Sequence, residues 1–195
     1  VVFAHDTEAA LSSAAALVNT LPGSVTGDSS PDTLGTVAEL TQFCSGHGWT
    51  GRIDADAAEL VAVRELRPRL RELWERDEQG VVDLTNDLLV EGAALPRLVD
   101  HDGFGWHVHA TSADAPLATR MTVEAAMAVV DVVREGELDR LRVCEAPDCD
   151  DVVVDLSRNR SRRFCEGGCA ARVHTAAYRA RKAVETQARE PAGPR

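Results

Sequence analysis

Aromatic side chains make up only 4% of this 195-residue chain, so its core must be built mainly from Leu, Val and Ala. No run of about 18 apolar residues occurs, and no stretch has the length to cross a bilayer as a helix. The apolar stretch Ala9 to Leu21 lacks the basic leader of a signal peptide. It is preceded by His5, Asp6 and Glu8, and reads as a helix of the mature fold. There is no glycine-rich phosphate cradle after a strand-like segment, no G-x-S-x-G, and no acidic pair that stands out from the solvated background. The expectation is therefore a protein without catalytic residues. Excess positive charge is lacking too: the net charge of −11 opposes indiscriminate binding to nucleic acid. No internal repeat is present.

Cysteine is scarce but concentrated. Of the 5 cysteines, Cys144, Cys149, Cys165 and Cys169 fall between Leu141 and Lys182, spaced C-x4-C, then 15 residues, then C-x3-C. Each close pair can form a small chelate loop, and the insert lets the second pair face the first. Four thiolates close a tetrahedral shell and leave no position for a substrate, so the implied role is structural. Soft sulfur donors select zinc, copper(I) or iron–sulfur clusters, with Zn2+ the best fit. Disulfides or unligated thiols are the competing readings. A reducing cytoplasm, the expected location, disfavours the first, and pairwise spacing disfavours the second. Cys44, beside Phe43 on an expected helix, reads as a small buried hydrophobe.

The residues between the pairs suggest how such a site folds. Val152-Val153-Val154 is a β-branched run, followed by Asp155 and a polar stretch from Ser157 to Arg163. It reads as a strand, a turn around Ser157–Arg160 and a return strand ending at Phe164. Gly167-Gly168 permits a tight turn. A helix rich in alanine then starts near Cys169, where its dipole favours thiolate. Knuckle, hairpin and helix together describe a treble-clef finger. Cys144-x4-Cys149, Val154-Asp155-Leu156-Ser157-Arg158-Asn159 and Ser161-Arg162-Arg163-Phe164-Cys165 resemble the CGNR zinc-finger family of bacterial stress-induced transcription regulators. The naming motif stands here as Cys169-Ala170-Ala171-Arg172, and the last cysteine pair is one residue shorter than the family's. Leu17-Val18-Asn19-Thr20-Leu21 is similar to the start of the ABATE domain that accompanies this finger. The resemblance implies a stress-response regulator whose finger binds DNA.

Charge is unevenly placed. Residues 156–182 carry Arg158, Arg160, Arg162, Arg163, Arg172, Arg179, Arg181 and Lys182 against Glu166 alone, a net of +7, which leaves −18 for the rest. These eight are the candidate nucleic-acid contacts, because guanidinium forks suit phosphate oxygens. Arg158, Arg160 and Arg162 alternate along the expected hairpin and would hold phosphates. Arg172 and Arg179 are seven residues apart on one helical stripe with Ala176 between them. With Tyr178 and His174, this helix is the candidate for base readout. The competing reading pairs the same arginines with the acidic remainder of the chain, so that the finger is a structural or protein-interaction module.

The rest of the chain reads as mainly helical. Helices are expected from Asp6 or Thr7 to Thr20, from Asp32 or Thr33 through Phe43, from Asp54 to Asp77 with Pro68 kinking or dividing it, from Val81 to Glu91, and from Asp114 to Arg134. Pro22 to Pro31 reads as a loop. Strands are expected at Pro96 to Val99 and Phe104 to Ala110, around a turn at His101-Asp102-Gly103. His107 and His109 share a face; with no third ligand at suggestive spacing they read as exposed polar alternation. Asn19 reads as the tie for the loop after its helix rather than a pocket residue. The overall expectation is an α+β protein. Residues 1–138 form an ABATE-like, mainly helical domain with a small antiparallel sheet, able to receive a small-molecule or protein effector. Residues 139–185 form a treble-clef-like finger packed directly on it, and residues 186–195 a disordered tail.

Overall fold

The computed structural model describes residues 3–25, 28–29, 31–100 and 105–189. The fold is α+β, mainly helical, with small antiparallel sheets. Helix α1 (His5–Val18) is followed by a two-residue pair, β1 (Ser24–Val25) and β2 (Asp28–Ser29), inside the segment expected to be loop. Helix α2 (Val37–Gly46) starts later than expected. Thr36 caps it and Glu39 returns the bond to the Thr36 amide, a reciprocal capping box. Asp32, which with Thr33 was expected to open the helix, is engaged elsewhere. Its carboxylate takes a forked contact from Arg67 at 2.7 and 2.8 Å, and Arg67 also donates to the Thr20 carbonyl and hydroxyl. The buried guanidinium thus fastens the end of α1 to the next long helix.

That helix, α3 (Ala57–Arg71), runs through Pro68 rather than dividing there. Proline removes the amide that would bond the Arg64 carbonyl. The Arg67 Nε donates to that carbonyl at 3.3 Å, while Leu60, Val63, Leu66 and Leu70 hold the apolar face in the core. A single helical turn (Glu72–Trp74) leads to α4 (Glu78–Glu91). A Cβ at Gly92 would lie 2.1 Å from Val123, so glycine allows the end of α4 to press on the following long helix. Strands β3 (Arg97–Asp100) and β4 (Trp106–His109) pair antiparallel, Leu98 opposite Val108. The turn expected at His101-Asp102-Gly103 lies outside the described residues.

Helix α5 (Leu117–Arg134) is the centre of the body. It packs against α1, α3 and α4, and Val123, Ala126, Val129 and Val132 are almost fully buried. A short turn (Leu138–Arg140) then enters β5 (Leu141–Val143), which pairs antiparallel with β6 (Val152–Val154). The valine run is thus a strand, as expected, but the expected hairpin is not its setting. Its partner precedes the first cysteine pair, and no return strand forms over 161–164 among the described residues. The last element, α6 (Cys169–Arg189), extends beyond residue 185, into the stretch expected to be tail; residues 190–195 lie outside the described residues.

The three valines of β6 are all buried, and their alternation explains why. Val152 and Val154 belong to the core of the helical body, whereas Val153 packs with the four cysteines. Successive side chains of a strand face opposite ways, so β6 is the sheet of residues between two cores.

Candidate metal centre and the arginines around it

Cys144 and Cys149 lie on the knuckle between β5 and β6, Cys165 in the turn before α6, and Cys169 on its first turn. The knuckle is set by backbone bonds: the Cys144 amide donates to Asp151 at 2.8 Å and the Cys149 amide to Ala146 at 3.1 Å. Gly168, at φ +80°, makes the turn that brings the last pair in. All four sulfurs lie within 4.8 Å of one another, with Cys149–Cys165 at 3.7 Å and Cys165–Cys169 at 3.3 Å. A sulfur–sulfur bond is about 2.05 Å, so these are not disulfides. A tetrahedral ion bonded at about 2.3 Å would set its sulfurs about 3.8 Å apart, close to the spacing present. The donor set and its convergence fit one tetrahedral metal ion.

The electrostatics suit an ion as well. Burial pushes the Cys149 thiol up to about 12 and raises Cys165 further, the nearby Asp151 acting in the same direction. At Cys144 burial also opposes ionisation, but the amides of Ala146 and Cys165 donate towards the sulfur and hold it below its ordinary value. A dication among them offsets the cost of burying thiolate. The Arg172 guanidinium donates to the Cys169 sulfur at 3.4 Å and to Asp148 at 2.9 Å, bringing a positive charge to the rim of an anionic cluster.

The cluster is docked on the body by polar contacts. Asn19, one residue past α1, brackets Val152: its Nδ2 donates to the carbonyl at 2.9 Å and its Oδ1 accepts from the amide at 2.7 Å. The Trp74 indole donates to Val153 O and Arg71 to Asp150 O. Buried Arg140 donates to the carbonyls of Asp155 and Ser157. Asp155, fully buried, accepts from the amides of Ser157 and Arg162 and from the Ser157 hydroxyl, so it builds the loop that replaces the expected hairpin. Asn19 therefore ties down the finger rather than the loop after its own helix. Arg71, Trp74 and Arg140 carry no motif-like signal; each is a single polar residue whose target carbonyl is distant in sequence.

The eight candidate nucleic-acid residues divide into two sets. Arg160, held at φ +51°, pairs with Glu137 and Asp139; Arg162 pairs with Glu166, Arg163 with Glu145, and Arg172 with Asp148. Arg158, Arg179 and Arg181 are exposed and have no ion-pair partner among the described residues. Lys182 lies 6.0 Å from the Tyr178 ring. The stripe expected through Arg172 and Arg179 is thus split: the first belongs to the metal site, the second to solvent. His174 is turned against Phe164, with ring centroids 6.1 Å apart. Beyond Val173 the helix is exposed on all sides as far as Glu185.

A helical body joined directly to a four-cysteine module with a projecting basic helix defines a two-part zinc-finger protein. Residues 11–136 match the family described as putative stress-induced transcription regulator (ABATE), and residues 140–182 match the CGNR zinc finger. The first match spans more than half of the chain, and the chain belongs to that family. A search of curated proteins gives no match.

Proposed function

We propose that this chain is a non-enzymatic transcription regulator that carries a structural Zn2+ on Cys144, Cys149, Cys165 and Cys169 and contacts duplex DNA through α6 and the loop before it. The observation that carries this reading is the division of the arginines. If the basic cluster served only to dock the finger, each guanidinium would be expected to meet a carboxylate. Arg158, Arg179 and Arg181 instead stand in solvent on a chain with a large acidic excess. The ion supplies the folding energy of the module, and its four sulfurs leave no site for substrate. Cys169 then sets where α6 begins and Arg172 fixes its first turn, so that the remaining turns project as a rigid basic rod. These exposed guanidinium groups contact phosphates; base edges are distinguished fully when the rod lies in the major groove.

A second reading rests on the other set. Arg160, Arg162, Arg163 and Arg172 form ion pairs within the chain, as a purely structural or protein-binding finger requires. The deciding experiment is a salt titration of duplex binding by the zinc-loaded chain. DNA binding is supported by an affinity that falls steeply with salt and weakens when Arg158, Arg179 and Arg181 are replaced. No measurable affinity at low salt supports the second reading.

A further inference from the structure

The only tyrosine of the chain sits on the exposed part of α6. Tyr178 is 54% exposed, and the helix around it lies in solvent from His174 to Glu185. Alanine, which fills most of the neighbouring positions, is the better helix former. A lone exposed apolar side chain is ordinary on a protein surface; what marks Tyr178 is its company. His174, Tyr178 and Lys182 are spaced four apart and share one stripe, with Arg181 beside them, three residues after the tyrosine. The Lys182 ammonium lies over the tyrosine ring, 6.0 Å from its centre. At the root of the stripe, His174 meets Phe164 edge-on, and the Arg163 guanidinium lies 5.5 Å from the centre of the Phe164 ring. Rings and cations thus run together from the loop before α6 along its exposed length. Glu185 is the single acidic residue between Cys169 and Arg189.

Phosphates call only for the cations. The faces of paired bases are closed by their neighbours in the stack, whereas an unpaired base offers its face to a side chain. We propose that this stripe is a platform for single-stranded nucleic acid, with one base stacked on Tyr178 and the adjoining phosphates met by Arg181 and Lys182. Charge complementarity selects this occupant. A neutral peptide would use the rings and leave the cations unmatched, but a polynucleotide uses both. Every base has a π face, so the stack tolerates any base and reads no sequence. Arg179 lies about 100° round the helix from Tyr178 and is off the stripe. The duplex contact and the single-strand platform are therefore different faces of α6 that meet at Arg181. The inference rests on the function proposed above only in assigning α6 to nucleic acid.

The test is a fluorescence-anisotropy titration of the zinc-loaded full chain into labelled oligothymidylate and oligouridylate of about 12 nucleotides, and into a duplex, at low salt. Single-strand binding is expected, and the ratio of the two oligomers tells DNA from RNA as the source. Tyr178→Ala should weaken it about tenfold or more, and Tyr178→Phe, which keeps the ring, should not. Duplex affinity should be alike in all three chains. In the unaltered chain, the tyrosine ring protons form a single spin system, since there is no second tyrosine. They should move upfield on adding single strand and stay in place with duplex, a readout that needs no variant to fold. Duplex binding without single-strand affinity overturns the platform and leaves the duplex reading standing. So does single-strand affinity that survives Tyr178→Ala with the ring resonances unmoved. No affinity for either form overturns both.

Discussion

The helical body and the finger are held together by different physics. The body buries a continuous set of leucines, valines and alanines around α5, and a chain of about 130 residues can support itself in that way. The finger's own cluster has Val153, Ala146 and the four cysteines, with Phe164 and Val173 beside them. That is too little apolar surface to order some forty residues without further help. On the function proposed above, a metal ion on the four sulfurs and the docking contacts substitute for a core. The difference also explains β6, whose outer valines belong to the larger unit and whose middle valine belongs to the smaller.

The largest expected effect breaks one side of the comparison and spares the other. Cys165→Ser or Cys169→Ser should remove the tightly held zinc, measured by metal retained after dialysis, and unfold the finger, because metal binding supplies on the order of 10 kcal/mol to such modules. The body should keep its cooperative transition. Next in size is the reverse experiment. Arg67 is buried and its partner Asp32 largely so. Asp32→Asn should cost the body about 3–5 kcal/mol in urea unfolding, since it leaves the guanidinium buried without its charge partner. The Arg67 contact also holds the Asp32 carboxyl well below the usual range. The folded form therefore resists protonation, so this contribution is complete above about pH 4 and is lost as the pH falls further. The acid-side loss of stability should be shallower in Asp32→Asn than in the unaltered chain.

A smaller change sharpens the joint between the two units. Asn19→Ala removes both bonds to the Val152 backbone and should cost about 2 kcal/mol, read as faster amide exchange over β6 with zinc still bound. The smallest effects separate the two sets of arginines. Replacing Arg179 or Arg181 by Ala should lower the salt slope of duplex binding by about one for each phosphate that is no longer neutralised. Arg160→Ala should leave that slope unchanged and loosen only the loop that it pins to Glu137 and Asp139.

Structure was readable from the residues alone where their chemistry is local. The four cysteines needed only their spacing, and the turn around Ser157–Arg160, closed by the Arg160 amide on the Ser157 carbonyl, needed only the polar residues there. Val152-Val153-Val154 announced a strand, and an uninterrupted apolar run signals burial on both faces. What the run could not disclose was its partner. The pairing with Leu141-Arg142-Val143 depends on closing the knuckle, which brings together residues on either side of Cys144 and Cys149. The start of α2, expected at Asp32 or Thr33, was missed for a similar reason: Asp32 is a good helix opener by composition, but Arg67 claims it from 35 residues away. Arginine roles were the least legible. Arg158 and Arg160 are alike in sequence, and only the positions of Glu137 and Asp139 separate one from the other.

The most direct single measurement is amide hydrogen exchange on the full chain before and after zinc is removed by a chelator. The expected result is loss of protection across 144–149 and 165–173, with α1, α3 and α5 unchanged. Equal loss in both regions, or none in either, would contradict a finger ordered by its ion and a body ordered by its core.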